Sequence, residues 1–301
     1  MSDTGSFFRG MTQAPILAVT MLVAACAPLP RGADAEADVV AQRLPEVSIA
    51  LLGEVHDNAE GHRLRYEALA RAVRAGWRPA IAMEQFDRER QPALDRAMQE
   101  CGDAACVIHA AAPGNAGWDW KLYEPVIDLA LREKLPLAAA NLSRTDAGRV
   151  VRQGLPAVFS PDELRQLGLA GGPPDALLAA QRREVAQGHC GLLPASMEPA
   201  MATAQIARDA MMAQVMMRAA RPADGVAQRP VVLLAGNGHV RRDLGVPRWL
   251  PAGSLAVGFT EGPPPPGSYD LDVELAAAER GDPCEELRAG AKSMPAQGMA
   301  P

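Results

Sequence analysis

The sequence predicts an α/β fold, with a mostly parallel sheet flanked by helices and a smaller helical subdomain over the carboxyl ends of the strands. Short, strongly apolar runs alternate with segments of helical spacing, which is typical of βαβ units. Two of these runs each end in a Gly-x-x-His tetrad, Gly53–His56 and Gly236–His239. Residues 143–221 have helical spacing and no convincing strand. The 301 residues are enough for one α/β domain with a helical insertion.

The first half of the chain alternates between strand and helix patterns. The apolar run Val47–Leu52 reads as a buried strand. After it, residues 58–74 carry leucine, alanine and valine at helical spacing, with Asp57 or Asn58 as the N-cap and Gly76 after the end. The remaining elements of this half are a strand at Pro79–Met83, a helix at Phe86–Gln99, an irregular segment at Gly102–Gly117, a helix at Leu122–Lys134 and a strand at Leu135–Ala140.

The second half begins with helices and ends with strands. The spacing predicts helices at Pro161–Leu167, Pro174–Gln187 and Glu198–Ala219, then strands at Val231–Ala235, Ser254–Phe259 and Tyr269–Val273. We therefore assign residues 45–142 and 222–275 to the α/β domain, 143–221 to a helical insertion and 276–301 to a C-terminal tail. Six methionines crowd the last predicted helix and its start; we interpret them as core filling rather than as copper or haem ligands.

The N-terminus predicts export and a lipid anchor. The apolar stretch Ala14–Ala25 is short for a membrane span, and Leu22–Cys26 resembles a bacterial lipobox. We predict a signal peptide over residues 1–26, lipidation of Cys26 and a tether over residues 27–44. Two alternatives stay open: translation that starts at Met11, or an ordinary signal peptide with an incidental cysteine. Alanine rather than aspartate after the cysteine favours a lipoprotein that faces the periplasm, at the outer membrane.

Export affects the other cysteines, because thiols outside the cytoplasm tend to be oxidised. Four cysteines allow three pairings. Cys101 with Cys106 closes a short local loop, which leaves Cys190 to pair with Cys284.

The net charge of −6 and the absence of a basic run argue against a nucleic-acid partner.

Polar side chains follow several predicted strands: Glu54, His56, Glu84, Asn141 and His239. The carboxyl ends of parallel strands are where ligands and catalytic groups collect in open α/β sheets, so we expect these side chains to converge. Two imidazoles and two carboxylates could bind a divalent metal, or supply a base with an orienting carboxylate. No serine or cysteine lies in a nucleophile-elbow context. Arg208 and Asp209, on the last predicted helix, are expected to lean over the strand ends, where Glu84 is a candidate partner.

The same motifs resemble the ChaN-like haem-binding lipoproteins, which share a superfamily with the Tiki/TraB proteins and the erythromycin esterases. The resemblance rests on Gly53–Asn58, Met83-Glu84, Trp118-x-Trp120-x-x-Tyr123-x-Pro125, His189-Cys190-Gly191, Gln205-x-x-Arg208-Asp209-x-x-Met212 and Gly236–His239, and covers roughly residues 45–275. It implies the same parallel sheet with a smaller helical domain. It also implies haem held between two protomers, a tyrosine on the iron, and histidine and lysine on the propionates.

The residues allow these roles to be assigned to particular side chains. Tyr123, in an aromatic stretch, is the candidate iron ligand; Tyr66 and Tyr269 are the alternatives. Lys121 is the candidate lysine, with Arg63 or Arg65 as alternatives, and the candidate histidines are His56, His62 and His239. The first hypothesis is thus a haem-binding lipoprotein of uptake or storage, with the membrane, a haem-dependent second copy and a haem receptor system as partners. The second is a divalent-metal-dependent hydrolase that uses Glu54, His56, Glu84 and His239.

Overall fold

The computed structural model describes residues 1–2, 32–114, 117–221, 228–282, 284–285 and 288. The chain divides into two units, Met1–Arg31 and Gly32–Pro301, and only the first two residues of the first unit are described. The predicted signal peptide, the lipobox with Cys26 and the alternative start at Met11 therefore lie outside the described residues. No helix among the described residues combines the length and apolar character that a membrane crossing requires.

The six described strands form one sheet in the order β3-β2-β4-β1-β5-β6, and all neighbouring strands are parallel. The strands are β1 Ile49–Leu52, β2 Ala80–Asp87, β3 Leu137–Asn141, β4 Val231–Leu234, β5 Leu255–Glu261 and β6 Leu271–Leu275. This confirms the predicted fold class. The central strands β1 and β4 are buried along their whole length, because helices cover both faces of the sheet.

Ten α-helices surround this sheet in the described part of the chain. They are α1 Ala33–Arg43, α2 Ala59–Arg74, α3 Gln91–Glu100, α4 Ala104–Ala111, α5 Glu124–Glu133, α6 Arg144–Gln153, α7 Pro161–Gln166, α8 Asp175–Gly188, α9 Glu198–Ala219 and α10 Asn237–Val240. One apolar core lies between the sheet and the first five helices, a second lies between the sheet and α9, and a third lies among α6 to α9. Of the six methionines interpreted as core filling, Met211, Met212 and Met216 are buried in the second and third cores, whereas Met197 is 43 % exposed.

The structure differs from the sequence prediction in several segments. The C-terminal part of the predicted tether is helix α1, which buries Ala37 and Val40 against the first core. Part of the predicted irregular segment at 102–117 is helix α4, which Asp103 caps by accepting from the Cys106 backbone N–H. Helix α6 was not predicted. Because only Ala147 and Val150 of α6 are buried, its apolar pattern is weak in the sequence.

Both predicted disulfides are present, Cys101–Cys106 and Cys190–Cys284, each with a Cα–Cα distance of 5.6 Å. The second joins the turn between α8 and α9 to the segment that follows β6. That segment, predicted as tail, is held by polar contacts as well: Asn58 donates to the Ala276 carbonyl, and Arg280 pairs with Asp57 and Glu261. Residues 276–282 therefore pack against the folded unit.

Candidate functional site

The side chains of Glu54, His56, Glu84 and His239 come together at the carboxyl ends of three adjacent strands. β4 lies between β2 and β1, so the residues that follow these strands meet at one edge of the sheet. The predicted second strand was too short, because β2 continues past Met83 to Asp87. Pairing between β2 and β4 nevertheless ends at Met83, which turns Glu84 toward the residues after β4.

Each Gly-x-x-His glycine makes room for the other motif. A Cβ at Gly53 would lie 2.1 Å from Asn237 Oδ1, and a Cβ at Gly236 would lie 2.9 Å from His56 Cε1. Neither glycine has a positive φ. Glycine is therefore needed here for close approach of the two loops rather than for an unusual backbone conformation.

His239 is clamped between two carboxylates in the protein interior. Its Nε2 lies 3.3 Å from Glu84 Oε1, and its Nδ1 lies 2.5 Å from Asp209 Oδ1, on α9. Burial lowers the pKa of His239, but the charges of Glu84 and Asp209 outweigh it and raise the pKa to about 10. Burial raises the pKa of Glu84, but the charge and hydrogen bond of His239 outweigh it and hold the pKa at about 2. His239 is thus an imidazolium at neutral pH.

Glu54 is the centre of a second buried group of polar contacts. It accepts a 2.6 Å hydrogen bond from the Tyr123 hydroxyl and forms an ion pair with Arg65, which is 1 % exposed. Burial raises the pKa of Glu54, but the Arg65 charge and the hydrogen bond from His56 outweigh it and lower the pKa to about 2. Burial and the Glu54 charge raise the pKa of Tyr123, so the phenol keeps its proton.

His62 supports this group from α2. Arg65 Nη2 lies 3.1 Å from His62 Nδ1, and His62 Nε2 lies 3.1 Å from the carbonyl of His56. Since arginine only donates and a carbonyl only accepts, the proton of His62 lies on Nε2. Burial and the Arg65 charge lower the pKa of His62 to about 4, so this ring is neutral. The 4 %-exposed side chain is a positioning group inside the fold.

His56 is the exposed member of the four. Its side chain is 51 % accessible, its Nδ1 lies 2.8 Å from Glu54 Oε1, and its ring meets Trp118 edge-on at 4.9 Å. Burial lowers the pKa of His56, but the hydrogen bond to Glu54 and the Glu84 charge outweigh it and raise the pKa. His56 and Trp118 line an open cleft of about 410 Å³, with Asp57, Ala59, Gly117, Asp119 and Leu122.

The other candidate residues lie in different surroundings. Lys121 is exposed beside the cleft, whereas Arg63 pairs with Asp34, Glu60 and Glu67. Tyr269 donates from its hydroxyl to the Asn237 carbonyl, and Tyr66 is half-buried against the first core. The expected pairing of Arg208 and Asp209 with Glu84 is wrong. Arg208 donates to the side-chain oxygen of Asn141, and Asp209 lies against His239, whose other ring nitrogen faces Glu84.

Asp209, Gln205 and Arg65 have partners in the site that the sequence did not predict: Asp209 and Gln205 contact His239, and Arg65 pairs with Glu54. Gln205 lies 3.2 Å from the His239 ring and completes its enclosure. Arg65 had a sequence signal, since it is a charged residue on the apolar face of α2 between Leu64 and Ala68.

The contacts give the predicted metal centre no support. Of the four predicted metal ligands, the two carboxylates already have partners within the protein: Glu54 contacts Arg65 and Tyr123, and Glu84 contacts His239 and the Gly236 backbone N–H. Within the described ranges, no three His, Cys, Asp or Glu side chains are placed to bind one metal ion together.

Comparisons with known proteins bear on this site. Residues 40–250 match the model of a family described as haem-binding uptake, Tiki superfamily, ChaN. Among solved structures, the chain resembles ChaN of Campylobacter jejuni, described as showing cofacial heme binding, with a TM-score of 0.61 and 19 % identity over 78 % of this chain and 89 % of that chain. The type III effector HopBA1 matches at a TM-score of 0.45 and 15 % identity, over 79 % and 93 % of the two chains. No curated protein matches the sequence.

Proposed function

This chain belongs to the ChaN family of haem-binding uptake proteins in the Tiki superfamily, and we propose that it binds haem at the cleft beside His56. The single observation that carries this location is the exposure of His56 next to Trp118, in a cleft open to solvent. The other three members of the strand-end cluster, Glu54, Glu84 and His239, are buried and paired.

The residues around the cleft fit the two chemical parts of haem. Trp118 and Leu122 line the cleft and offer apolar surface for a porphyrin face. Lys121, exposed beside the cleft, and His56, whose pKa the hydrogen bond to Glu54 and the Glu84 charge raise, are the candidates to pair with propionates. His239 does not fit a propionate contact, because its ring is already enclosed by Glu84, Asp209 and Gln205. When bound, haem supplies an iron that the protein can carry and release.

A shallow cleft of this size leaves much of a porphyrin uncovered. We therefore propose that a second copy of the chain covers the rest of the porphyrin, so that the chain dimerises only when haem is bound. Ligation of the iron by Tyr123 stays a prediction. It would require the buried phenol to leave Glu54 and to lose its proton, which the neighbouring carboxylate opposes.

The test is a haem titration of the full chain in detergent, followed by absorbance in the Soret region and by molar mass. We expect a saturable Soret band and a haem-dependent doubling of mass, and weaker binding in His56→Ala. His109→Ala is the matched control, since His109 is exposed on α4 and lies outside the cleft. Absence of a saturable band in the unmutated chain would contradict the proposed function.

We further propose that Cys26 carries the lipid anchor and that the protein faces the periplasm from the outer membrane, where a haem receptor system would be its partner. The support is the sequence of residues 22–27 and the two disulfides, which suit an oxidising compartment. Labelled fatty acid should enter the full chain, and Cys26→Ala should abolish both labelling and membrane partition. Recovery of unmutated protein as free periplasmic material would refute the anchor.

A further inference from the structure

Strand β3 forms one edge of the sheet. In the part of the chain that the structure describes, its neighbour is β2, and its other side pairs with no strand. The Ile81 N–H donates to the Pro136 carbonyl, which therefore faces β2. Because the peptide groups of successive residues in a strand point to opposite sides, those of Leu137 and Ala139 face away from the sheet. Such a row of outward N–H and C=O groups is a template for a further strand.

The side chain of Gln91 occupies this edge in place of a strand. Its Nε2 donates to the Leu137 carbonyl at 3.1 Å, and its Oε1 accepts from the Ala139 N–H at 2.6 Å. In a parallel ladder, the backbone of one neighbouring residue makes this same pair of bonds. An incoming peptide can therefore replace the Gln91 amide with its own amide and leave neither backbone group of β3 unsatisfied.

A cavity of about 920 Å³ lies along this edge. Its apolar lining includes Leu137 and Ala138 of β3 and Val215 and Ala219 of α9. An extended peptide in this space meets both outward backbone groups and apolar surface. These are the two features that give affinity and specificity when a peptide adds to the edge of a sheet.

Three arginines of this cavity have no carboxylate partner. Arg218 lies in the last turn of α9, Arg221 follows that helix, and Arg229 precedes β4. Among the described residues, no carboxylate oxygen lies within 4.0 Å of their guanidinium nitrogens. Since the guanidinium group matches a carboxylate in charge and in hydrogen-bond geometry, these arginines favour an acidic occupant.

The carboxylates that line the same cavity already have partners. Arg88 lies 3.8 Å from Glu89 and 3.9 Å from Glu163. The Asp95 carboxylate accepts a 2.8 Å hydrogen bond from Gln91. These contacts occupy the acidic side chains of the cavity and leave its other three arginines to pair with a ligand.

We propose that this cavity binds an acidic peptide in an extended conformation, which adds to β3 as a further strand and places carboxylates against Arg218, Arg221 and Arg229. A second copy of the chain suits the edge less well, because pairing two β3 edges would bring the same arginines of both copies together. The site is distinct from the His56 cleft. The two share no lining residue, and β3 lies three strands from β1, roughly 14 Å at about 4.8 Å per strand.

The test uses the full chain in detergent, without haem, and a fluorescent, end-capped hexapeptide of alternating valine and glutamate. Fluorescence anisotropy measures binding, and hydrogen exchange of the Leu137 N–H measures strand addition. We expect saturable binding and slower exchange at Leu137. The double variant Arg218→Ala, Arg221→Ala should lose about tenfold in affinity, since one exposed ion pair contributes up to about fivefold. The double variant Arg96→Ala, Arg144→Ala is the matched control, because both arginines are exposed and lie outside the cavity.

Replacement of Gln91 should change the affinity in the opposite direction. Gln91→Ala removes the amide that the peptide displaces and leaves the arginines in place, so we expect binding to tighten by about threefold. In the free variant, the Ala139 N–H should exchange faster, and the peptide should slow it again. A peptide with the same glutamates but N-methylated backbone cannot donate to β3 and should bind about tenfold more weakly. Thermal unfolding of each variant without peptide checks that the fold is retained.

Three results would overturn the inference. One is the absence of saturable binding of the acidic peptide to the unmutated chain. Another is equal binding of the N-methylated peptide, or of a peptide with lysine in place of glutamate. The third is slow exchange at Leu137 in a haem-free dimer of the chain alone, which would make a second copy the occupant. Haem binding is measured separately, so its failure would leave these results unchanged.

Discussion

The two Gly-x-x-His motifs are near twins in sequence but occupy opposite environments. The histidine of the second motif, His239, is 6 % exposed and is clamped by Glu84 and Asp209. The histidine of the first, His56, is half in solvent beside Trp118. The difference comes from helix α9, which brings Asp209 against the histidine that follows β4, whereas a cleft opens beside the histidine that follows β1. One motif therefore fixes charge inside the fold, and the other is open to a ligand.

The largest expected effect is a difference in the free energy of unfolding between variants of the two histidines. His239→Ala leaves Glu84 and Asp209 buried beside each other without their cation, so we expect a loss of about 3–5 kcal/mol in the free energy of unfolding. His56→Ala removes a half-exposed ring, and we expect a loss below about 1 kcal/mol. Chemical denaturation of both variants measures the difference. Equal losses would show that the comparison of the two environments is wrong.

The second effect is the pH dependence of stability. The folded pKa of His239, about 10, lies above its ordinary value of 6.5. Its stabilising contribution is therefore fully present below pH 6.5 and is lost as the pH rises through 10. Glu54 and Glu84, at about 2 against 4.5, act in the other direction: their contribution is present above pH 4.5 and lost as the pH falls through 2.

These windows leave pH 4.5–6.5 as the range in which all three contributions are present. Burial raises the pKa of Asp209 from 3.8 to about 6, so this group acts in the opposite direction to Glu54 and Glu84. Its contribution to the free energy of unfolding is present below pH 3.8 and is lost as the pH rises through 6. Unfolding measured from pH 6.5 to 10 should lose a few kcal/mol, at about 1.4 kcal/mol per unit of pKa shift. His239→Ala should flatten this range. If the free energy of unfolding still falls with pH over this range in His239→Ala, a group other than His239 causes the pH dependence.

Periodicity predicted the sheet well, because its strands are buried on both faces and read as continuous apolar runs. Val231–Leu234 is an example in which nothing competes with the strand pattern. The location of the site could be predicted, since Glu54, Glu84 and His239 each follow or end such a run. The ion pairs and hydrogen bonds that these three side chains make could not be predicted. Arg65 and Asp209 lie on helices whose rotation and crossing over the strand ends depend on tertiary packing, which no local pattern contains.

The tether and the tail were mispredicted for a related reason. Residues 33–43 and 276–282 have mixed, acidic or alanine-rich sequences that look solvated in isolation. In the fold, α1 buries three apolar residues, and Arg280 gains two carboxylate partners distant in sequence. Contacts between residues that are far apart in the sequence hold both segments in the fold, and composition alone does not reveal such contacts.

The smallest effect tests whether the motif glycines serve close approach. Gly53→Ala places a Cβ 2.1 Å from Asn237 Oδ1, and the amide of Asn237 is held by the Phe259 backbone, so it cannot move freely. We expect a loss of about 1–3 kcal/mol, typical of overpacking. Gly238→Ala is the matched control from the same loop, since nothing lies within 4 Å of its added Cβ. Thermal unfolding of both variants measures the contrast, and equal midpoints would mean that the loops can separate without cost. Because Gly53 leads directly to Glu54 and His56, such separation would also displace the wall of the cleft, and haem affinity should fall in Gly53→Ala while Gly238→Ala retains it.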